Sequence, residues 1–521
     1  MKQVIDFRES RRNYNSIDSD FDEHSQDFIR VIEENFPITQ PIDERGPTIS
    51  LKNCRRQILA SCVAFCIVIQ VGANMSYSAI LLPQLSDENQ FNITRSQASW
   101  IASLVAIALP IGSLIFGLLM DALGRRLFTV FTAMLYVISW LFQIFATKLW
   151  HIYLARVVAG FTGGLATVAI VYVSEVSHPT FRQAFLSLNS VFVSFGILLC
   201  YFFGTLIKWK STAILMCIAA GLNGVAMLFM PESPFWYIIF KDDYEGAQKS
   251  FRWIYQDTEI YRSQYQHLLL IKAKKRNHTK LKSSVWDNIR SSISIYTEKA
   301  VYKPTIILLF IFIAQQITGG YVIIFYATDI FRKLDVRNPN QGMSEFAALV
   351  LLGVIRFVSS LVSVLISKHL GRRTIMIISG VGMTFCSFCA GLYIYFTSLP
   401  NEEISALNIT TSDRTYNIAF IFLIGYVAFG SLGFLVIPWT LIGELLPVKV
   451  RGVLGGALVS FAYIMMFLSL KVFPSILDTV DIHCIFYAVS ILNFISVMFV
   501  FFFLPETLGK NFSEIEKYFE R

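Results

Sequence analysis

Long apolar runs alternate with short polar stretches along most of this chain. A helix that rises 1.5 Å per residue needs about 20 apolar residues to cross a bilayer, and each run is close to that length. The twelve runs fall into two groups of six, at 58–82, 98–120, 127–147, 149–173, 184–207, 212–230, 304–327, 346–367, 374–396, 417–443, 453–473 and 483–504. The pattern therefore predicts an all-α membrane protein with twelve transmembrane helices in two six-helix bundles.

The polar stretches divide the chain into bundles, tails and a linker. The predicted parts are an N-terminal tail 1–57, a first bundle 58–230, a linker 231–303, a second bundle 304–504 and a C-terminal tail 505–521. The N-terminal tail mixes charged and polar residues and predicts little packed structure. In the basic linker, apolar residues recur at helical spacing near 268–271 and 286–293, which predicts short helices there.

An even number of spans places both termini on the same side of the membrane. The Lys and Arg of the linker favour the cytoplasm for that side, whereas the short loops of the two faces hold similar numbers of cations. Two glycosylation sequons, at Asn92 and Asn408, fall on the opposite, outer face. We therefore expect a multi-pass protein of the cell membrane with both termini in the cytoplasm.

Composition supports a lipid environment and narrows the chemistry. The chain is 55% hydrophobic and only 15% charged, against about 25% charged in soluble proteins, so it cannot cover a water-facing surface. The net charge of +8 sits in short clusters beside apolar runs, which does not favour a nucleic-acid partner. Cys386 and Cys389 form a CxxC pair inside a predicted span with no second pair nearby, so we expect no metal or cofactor. An enzyme or an ATP-driven pump is disfavoured, because no embedded Ser/His pair and no phosphate-binding loop appears.

Charged residues repeat in the same order after equivalent spans of the two halves. The pairs are Gly124-Arg125-Arg126 with Gly371-Arg372-Arg373, Glu175 and Arg182 with Glu444 and Arg451, and Pro231-Glu232-Ser233 with Pro505-Glu506-Thr507. Three matching groups in one order indicate a parallel duplication about an axis along the membrane normal.

All these charges fall on the predicted cytoplasmic face, where they are candidates for an inner gate. Positive residues alone would satisfy the orientation rule, whereas here the Glu residues repeat as faithfully as the Arg residues. Pairs between neighbouring helices and between halves would then close the inner mouth. The predicted gate residues are Asp121, Arg125, Arg126, Glu175, Arg182, Glu232, Arg372, Arg373, Glu444, Arg451 and Glu506.

Together these motifs resemble those of the sugar porter family of the major facilitator superfamily. The resemblance rests on Gly117–Arg126 (with Ala122 where the family has Arg), Arg156 with Gly160, Glu175–Arg182, Pro231–Pro234 (followed by Phe235 where Arg is usual), Gln315-Gln316-Ile317-Thr318-Gly319, Pro438-Trp439 with Glu444, and Pro505–Gly509. The segments 433–439 and 505–510 look most like those of insect trehalose and sugar facilitators. The resemblance implies a major facilitator fold and a facilitative sugar transporter, for trehalose or a hexose, working by alternating access.

The resemblance also implies a solute site between the halves. Gln315 and Gln316 would supply amides for sugar hydroxyls, and Trp439 an aromatic wall. The aligned positions add Ser190, Tyr321 and Arg356 to the predicted substrate-binding residues.

Several of these positions depart from the family. Ser190 replaces a Gln, Tyr321 and Arg356 replace Asn, Ala462 and Met466 replace Asn, and Leu435-Val436 replaces Gly-Pro. Arg356 either snorkels outward, pairs with a carboxylate such as Asp329 or Glu345, or faces an anionic or strongly hydroxylated solute.

The first span indicates how transport would be driven. Proton-coupled relatives carry an Asp where this chain has Ser76, which favours a uniporter. A facilitator of an organic anion or polyol that uses Arg356, and a sugar sensor that does not transport, remain alternatives. The solute and the oligomeric state do not follow from the sequence.

Overall fold

The computed structural model describes residues 54–87, 93–255, 296–334, 345–367, 369–398, 415–447, 450–508 and 512–520, with scattered helical residues between 260 and 272. Twelve of the described helical spans are long and apolar enough to cross a membrane, which confirms the predicted number. The spans are α1 Arg55–Asp87, α2 Arg95–Leu123, α3 Arg125–Ile144, α4 Leu149–Leu165 with Val168–Val176, α5 Pro179–Leu206, α6 Trp209–Leu228, α7 Lys299–Ile317 with Gly320–Leu334, α8 Glu345–Ile366, α9 Arg372–Ser398, α10 Thr415–Leu432 with Ile437–Leu445, α11 Arg451–Thr479 and α12 Ile482–Phe503.

Local sequence explains where several helices begin. Thr94 caps α2, since its hydroxyl accepts the Gln97 N–H at 3.3 Å and the Gln97 side chain accepts the Thr94 N–H at 2.9 Å. Gly124 separates α2 from α3 with a φ of 89°, a region that favours glycine. Pro179 opens α5, where a missing N–H costs nothing.

Short helices lie between the bundles and after them. They are Pro234–Trp236, a π-helical turn Tyr237–Lys241, Tyr244–Ile254 and the C-terminal Phe512–Glu520. The first three precede the positions where the sequence predicted linker helices. Of those positions, Leu268 and Leu269 are helical, while 286–293 lies outside the described residues.

The two bundles repeat one packing plan. In the first, α1 packs on α5, α2 on α4 and α3 on α6; in the second, α7 packs on α11, α8 on α10 and α9 on α12. The halves meet where α2 contacts α11 and α5 contacts α8. We call the membrane face where α1 begins and α12 ends the tail face, and the other the opposite face.

Large apolar side chains cover the outside of the bundles. Leu114, Met134, Leu222 and Phe502 each expose more than half of their surface. In water, so much exposed apolar surface would drive association, so this exterior suits lipid.

Glycines let α1 and α5 approach closely. A Cβ added to Gly196 would lie 2.1 Å from the Ile69 carbonyl oxygen, and one on Gly72 would lie 2.0 Å from that of Val193. Because both obstacles are backbone atoms, the two helices would have to separate to admit any side chain. Small residues at such crossings are the usual means of helix association in membranes.

We predict that Gly196→Ala destabilises the bundle by roughly 1–3 kcal/mol, the usual cost of overpacking. Gly221→Ala is the matched control, because a Cβ there meets nothing within 4 Å. Thermal melting of the detergent-purified variants measures the difference. Equal melting temperatures for the two variants would contradict this close packing.

Candidate functional site

Two broken helices meet near the centre of the second bundle. The α7 helix stops at Ile317 and resumes at Gly320, and α10 stops at Leu432 and resumes at Ile437. The Gln315 side-chain amide donates to the Phe434 carbonyl at 2.7 Å, which joins the two breaks. Backbone groups freed at membrane depth need such partners, because no water is available to them.

Other side chains complete the same junction. Ser379 donates its hydroxyl to the Phe429 carbonyl at 2.6 Å and accepts the Phe434 N–H at 3.1 Å. Ser363 donates to the Leu432 carbonyl at 2.6 Å, and the Tyr426 hydroxyl donates to the Thr318 carbonyl. The breaks are therefore held open by specific hydrogen bonds.

The two predicted amides differ in their bonding. Both are buried, and the Gln316 amide nitrogen donates to the Gln315 side-chain oxygen at 3.3 Å. The Gln316 side-chain oxygen has no hydrogen-bond partner among the described residues, although it is buried. Gln315 thus joins the helices, while Gln316 keeps a free acceptor that a solute hydroxyl can use.

Trp439 stands in an aromatic cluster. Its indole N–H donates to the Tyr321 hydroxyl at 3.2 Å. Its ring lies edge-on to Phe312, with centroids 5.2 Å apart, and is tilted against Tyr463 at 5.4 Å. Trp439 is only partly buried, so part of this aromatic wall is open to a bound molecule.

Arg356 is buried in α8 with 4% of its surface exposed. Neither Nε nor Nη1 has a hydrogen-bond partner among the described residues. The titratable groups that interact with it electrostatically are Tyr321 and Tyr201, and no carboxylate is among them. Asp329 instead lines a cavity at the opposite face, and the Glu345 side chain lies outside the described residues. The pairing of Arg356 with Asp329, one of the alternatives considered from the sequence, is therefore not formed in this structure.

Ser190 lies half-buried on α5 and forms no hydrogen bond within the described chain. Sequence reasoning missed Tyr201 on the same helix, which donates its hydroxyl to the Ile324 carbonyl of α7 at 2.7 Å. It also missed Ser194 and Ser360, whose hydroxyls lie 2.7 Å apart across the two halves. Polar side chains within apolar runs were the signal available for all three.

A compact charged cluster ties the tail-face ends of the first bundle together. The Arg125 guanidinium bonds to Glu175 at 2.9 Å, and its Nη1 lies 3.2 Å from the Asp121 carboxylate. The Glu232 carboxylate accepts the backbone N–H groups of Arg125 at 2.9 Å and Arg126 at 3.0 Å. Burial raises the pKa of Glu232 above its usual range, although these N–H groups oppose the shift.

The second bundle repeats this cluster with equivalent residues. Arg372 donates from Nε to Glu444 at 3.1 Å, and its backbone N–H donates to Glu506 at 2.8 Å. The Thr507 hydroxyl donates to Glu444 at 2.6 Å, as the Ser233 hydroxyl does to Glu175 in the first bundle. Each Arg–Glu pair therefore forms within one half.

The second arginine of each Gly-Arg-Arg has a different role from the first. Arg126 donates to the Met230 carbonyl at the end of α6, with 3.4 Å between the atoms. Arg373 donates to the Phe501 carbonyl near the end of α12 and lies over the Phe501 ring. Both arginines therefore bind free carbonyls at helix C-termini.

Across the two halves at the tail face, the side chain of Gln183 donates to Glu444 at 3.0 Å. Arg182, one residue earlier, is exposed and interacts electrostatically with Glu175 and Tyr255. The side chain of Arg451 lies outside the described residues, so its predicted pairing stays untested. The same holds for the predicted glycosylation sites Asn92 and Asn408.

The halves are also joined at the opposite face. Arg95 at the start of α2 pairs with Asp478 near the end of α11. Ser99 donates to the Lys471 carbonyl at 3.1 Å, and the Lys471 ammonium lies 3.9 Å from the centroid of the Trp100 ring. A cavity of about 290 Å³ lies beside these contacts, between α1, α2, α7 and α11.

Comparison with known proteins shows which family has this arrangement. The family model described as "Sugar (and other) transporter" matches residues 55–519. The facilitated trehalose transporter Tret1 of Apis mellifera ligustica is 28% identical over 89% of this chain and 88% of its own length. Mouse solute carrier family 2, facilitated glucose transporter member 6, is 29% identical over 91% and 93%.

Solved structures show the same fold at lower identity. The E. coli xylose transporter XylE, in a partially occluded inward-open conformation, superposes with a TM-score of 0.69. It is 18% identical, over 87% of this chain and 99% of XylE. XylE bound to 6-bromo-6-deoxy-D-glucose gives a TM-score of 0.70 at 19% identity, over 90% and 100%. The chain therefore has the major facilitator fold.

We predict that Gln316→Ala weakens solute binding roughly tenfold or more, because it removes a buried acceptor that the protein itself does not use. Gln315→Ala should instead lower the melting temperature, since it frees the Phe434 carbonyl. Uptake kinetics and thermal melting of both variants separate the two roles. A melting loss in Gln316→Ala with unchanged affinity would contradict the assignment.

We predict that Gln183→Leu favours opening at the tail face. Losing one hydrogen bond to a partly exposed carboxylate is worth roughly 1 kcal/mol, about a fivefold shift between two states. The probe is a cysteine introduced by Ser190→Cys, two turns after Gln183 on the same helix. An impermeant maleimide is added at the tail face, and the rate at which it labels this cysteine reports opening. Ser187→Ala, between the two positions, is the control. A labelling rate unchanged by Gln183→Leu would show that this link does not hold the halves together.

Proposed function

Because the chain belongs to the sugar (and other) transporter family, which consists of carriers and not enzymes, we propose that it moves a sugar passively by alternating access. The proposal has two parts, the passive mechanism and the class of solute. The surroundings of Arg156 carry the first part, and the open groups at the broken helices support the second.

Arg156 is fully buried in α4 and bonds only to neutral oxygens. Its Nε donates to the Ile101 carbonyl at 3.0 Å and its Nη1 to the Asn74 carbonyl at 2.9 Å, while Nη2 donates to the Ser78 hydroxyl. Ser76, where proton-coupled relatives carry Asp, donates to carbonyls of its own helix. Among the described residues, no carboxylate therefore lies beside Arg156 to take up and release a proton.

The acidic residues of the described spans support the same conclusion. They are Asp87, Asp121, Glu175, Asp329, Glu345, Glu444 and Asp478, and each lies within five residues of an end of its span. A proton-driven carrier needs a titratable group in the membrane interior that both sides can reach in turn. We propose that transport runs down the gradient of the solute itself.

The solute class is supported by relatives and by open side chains. Relatives named for trehalose and glucose make those two sugars the first candidates. The free acceptor of Gln316 and the partly exposed face of Trp439 match a ring that carries hydroxyls on an apolar frame.

The charged clusters suggest how the halves move. Each Arg–Glu pair stays within one half, so the bundles can rock as rigid bodies without breaking it. The contacts that must break lie between halves, at Gln183–Glu444 on one face and at Arg95–Asp478 on the other. We propose that the tail face is cytoplasmic and that the protein resides in the cell membrane.

We predict that purified protein in liposomes equilibrates a sugar without concentrating it. The panel is trehalose, glucose, fructose, inositol and urate, with radiolabelled uptake measured with and without an inward proton gradient. Initial rates should be saturable and unchanged by the gradient.

Uptake above equilibrium that collapses with the proton gradient would contradict a passive mechanism. If the protein takes up no sugar in liposomes but a sugar still raises its melting temperature, the result would favour the alternative of a sugar sensor that does not transport. Gln316→Ala serves as a folded control with a weakened site.

A further inference from the structure

Building on the proposed function, we infer that the solute carries an oxyanion, a carboxylate or a phosphate, which binds at Arg356. The residue lies on α8, facing α7 and α5, and is not part of the charged clusters at either membrane face. The inference rests on burial, on open donors and on the position of α8 between the halves.

A buried guanidinium deep in a membrane protein normally has a partner for each donor. Arg156 shows the satisfied case, with Nε, Nη1 and Nη2 all bonded to oxygens. Arg356 is 4% exposed, yet its Nε and Nη1 have no partner among the described residues. The same fold thus contains one buried arginine that is satisfied internally and one that is not.

A carboxylate of the protein cannot easily reach Arg356. Asp329 lies on α7 eight residues beyond Tyr321, about 12 Å along a helix, and lines the cavity at the opposite face. Glu345 begins α8, eleven residues before Arg356 and about 16 Å away along the axis. A counter-charge must therefore come from another molecule, and the bound solute is the one that enters this site.

Neighbouring groups favour an acceptor-rich ligand over a neutral one. The Tyr321 oxygen accepts the Trp439 N–H at 3.2 Å, so its own hydrogen is available to donate. Tyr201 donates its hydroxyl hydrogen to the Ile324 carbonyl, so it has no hydrogen left to donate to a ligand. The open donors of Arg356, with the hydroxyl hydrogen of Tyr321, suit an oxyanion.

The position of α8 makes the site part of the transport path. Ser360, one turn after Arg356, meets Ser194 of α5 at 2.7 Å, and Phe357 lies against Phe195 with ring centroids 5.4 Å apart. Arg356 therefore lies beside the contact between the two halves, where a ligand is released when they separate.

The test measures uptake and thermal shift of glucose, glucuronate and glucose 6-phosphate with the full chain in liposomes and in detergent. We expect the wild type to prefer at least one of the two acids. Arg356→Asn introduces the amide that hexose facilitators have at the matching position. It should shift the ratio of acid uptake to glucose uptake by tenfold or more in favour of glucose. Arg356→Lys should keep the acid preference in part. Arg332→Gln, which removes a cation at the opposite-face cavity, is the control and should leave the ratio unchanged.

Charge movement gives a second readout. At an inside-positive potential of about 60 mV, a monovalent acid should accumulate about tenfold, whereas glucose should not respond. Glucuronate and glucose 6-phosphate distinguish a carboxylate from a phosphate ligand.

Glucose preferred by the wild type, with a ratio unchanged in Arg356→Asn, would overturn this inference and leave the proposed sugar carrier standing. If all the Arg356 variants lose their fold, the wild type alone tests the inference, through its preference for an acid over glucose and through the response of acid uptake to voltage. Absence of both uptake and thermal shift for glucose, the two acids and the sugars of the earlier panel would overturn the inference and the proposed function together.

Discussion

A bilayer has no water to complete an interrupted helix, and this constraint shapes the whole site. Each break in α7 and α10 frees carbonyls and N–H groups that would otherwise cost several kcal/mol apiece. Gln315 satisfies the Phe434 carbonyl, and Ser379 bonds on both sides of the α10 break. While these side chains are used for the backbone, the Gln316 oxygen and two Arg356 nitrogens stay without a partner among the described residues, and we propose that these groups meet the solute.

The duplicated charged clusters stabilise each half internally, whereas movement takes place between the halves. In both halves an arginine after the second helix binds a glutamate at the end of the fourth, and a further glutamate caps the same turn through its carboxylate. A bonded pair of this kind costs about 3–5 kcal/mol to break by removing one partner, which keeps each bundle whole. The described Arg–Glu pairs do not cross between the halves, so the halves can separate without breaking them.

Sequence alone predicted the helix count and the repeated charges, because length, hydropathy and order are local properties. It predicted pairs between neighbouring helices and between the halves, whereas the two Arg–Glu pairs among the described residues each lie inside one half. It treated Gln315 and Gln316 as equivalent, since both are amides in one apolar run. Their separation depends on the Phe434 carbonyl, which is 119 positions away and has no side-chain signature. Gln183 was missed for a similar reason, as its partner Glu444 lies in the other half.

The two buried arginines differ in how their donors are bonded. In the first half, Arg156 holds α1, α2 and α4 together through neutral oxygens, so all three of its nitrogens are bonded within the protein. In the second half, Arg356 stands where the resemblance implies an amide, and its donors remain open. An amide offers both a donor and an acceptor, whereas a guanidinium offers donors alone. We therefore propose that the substitution keeps the frame of a sugar site but changes what that site binds, on the half that contains the broken helices at Gln315 and Phe434.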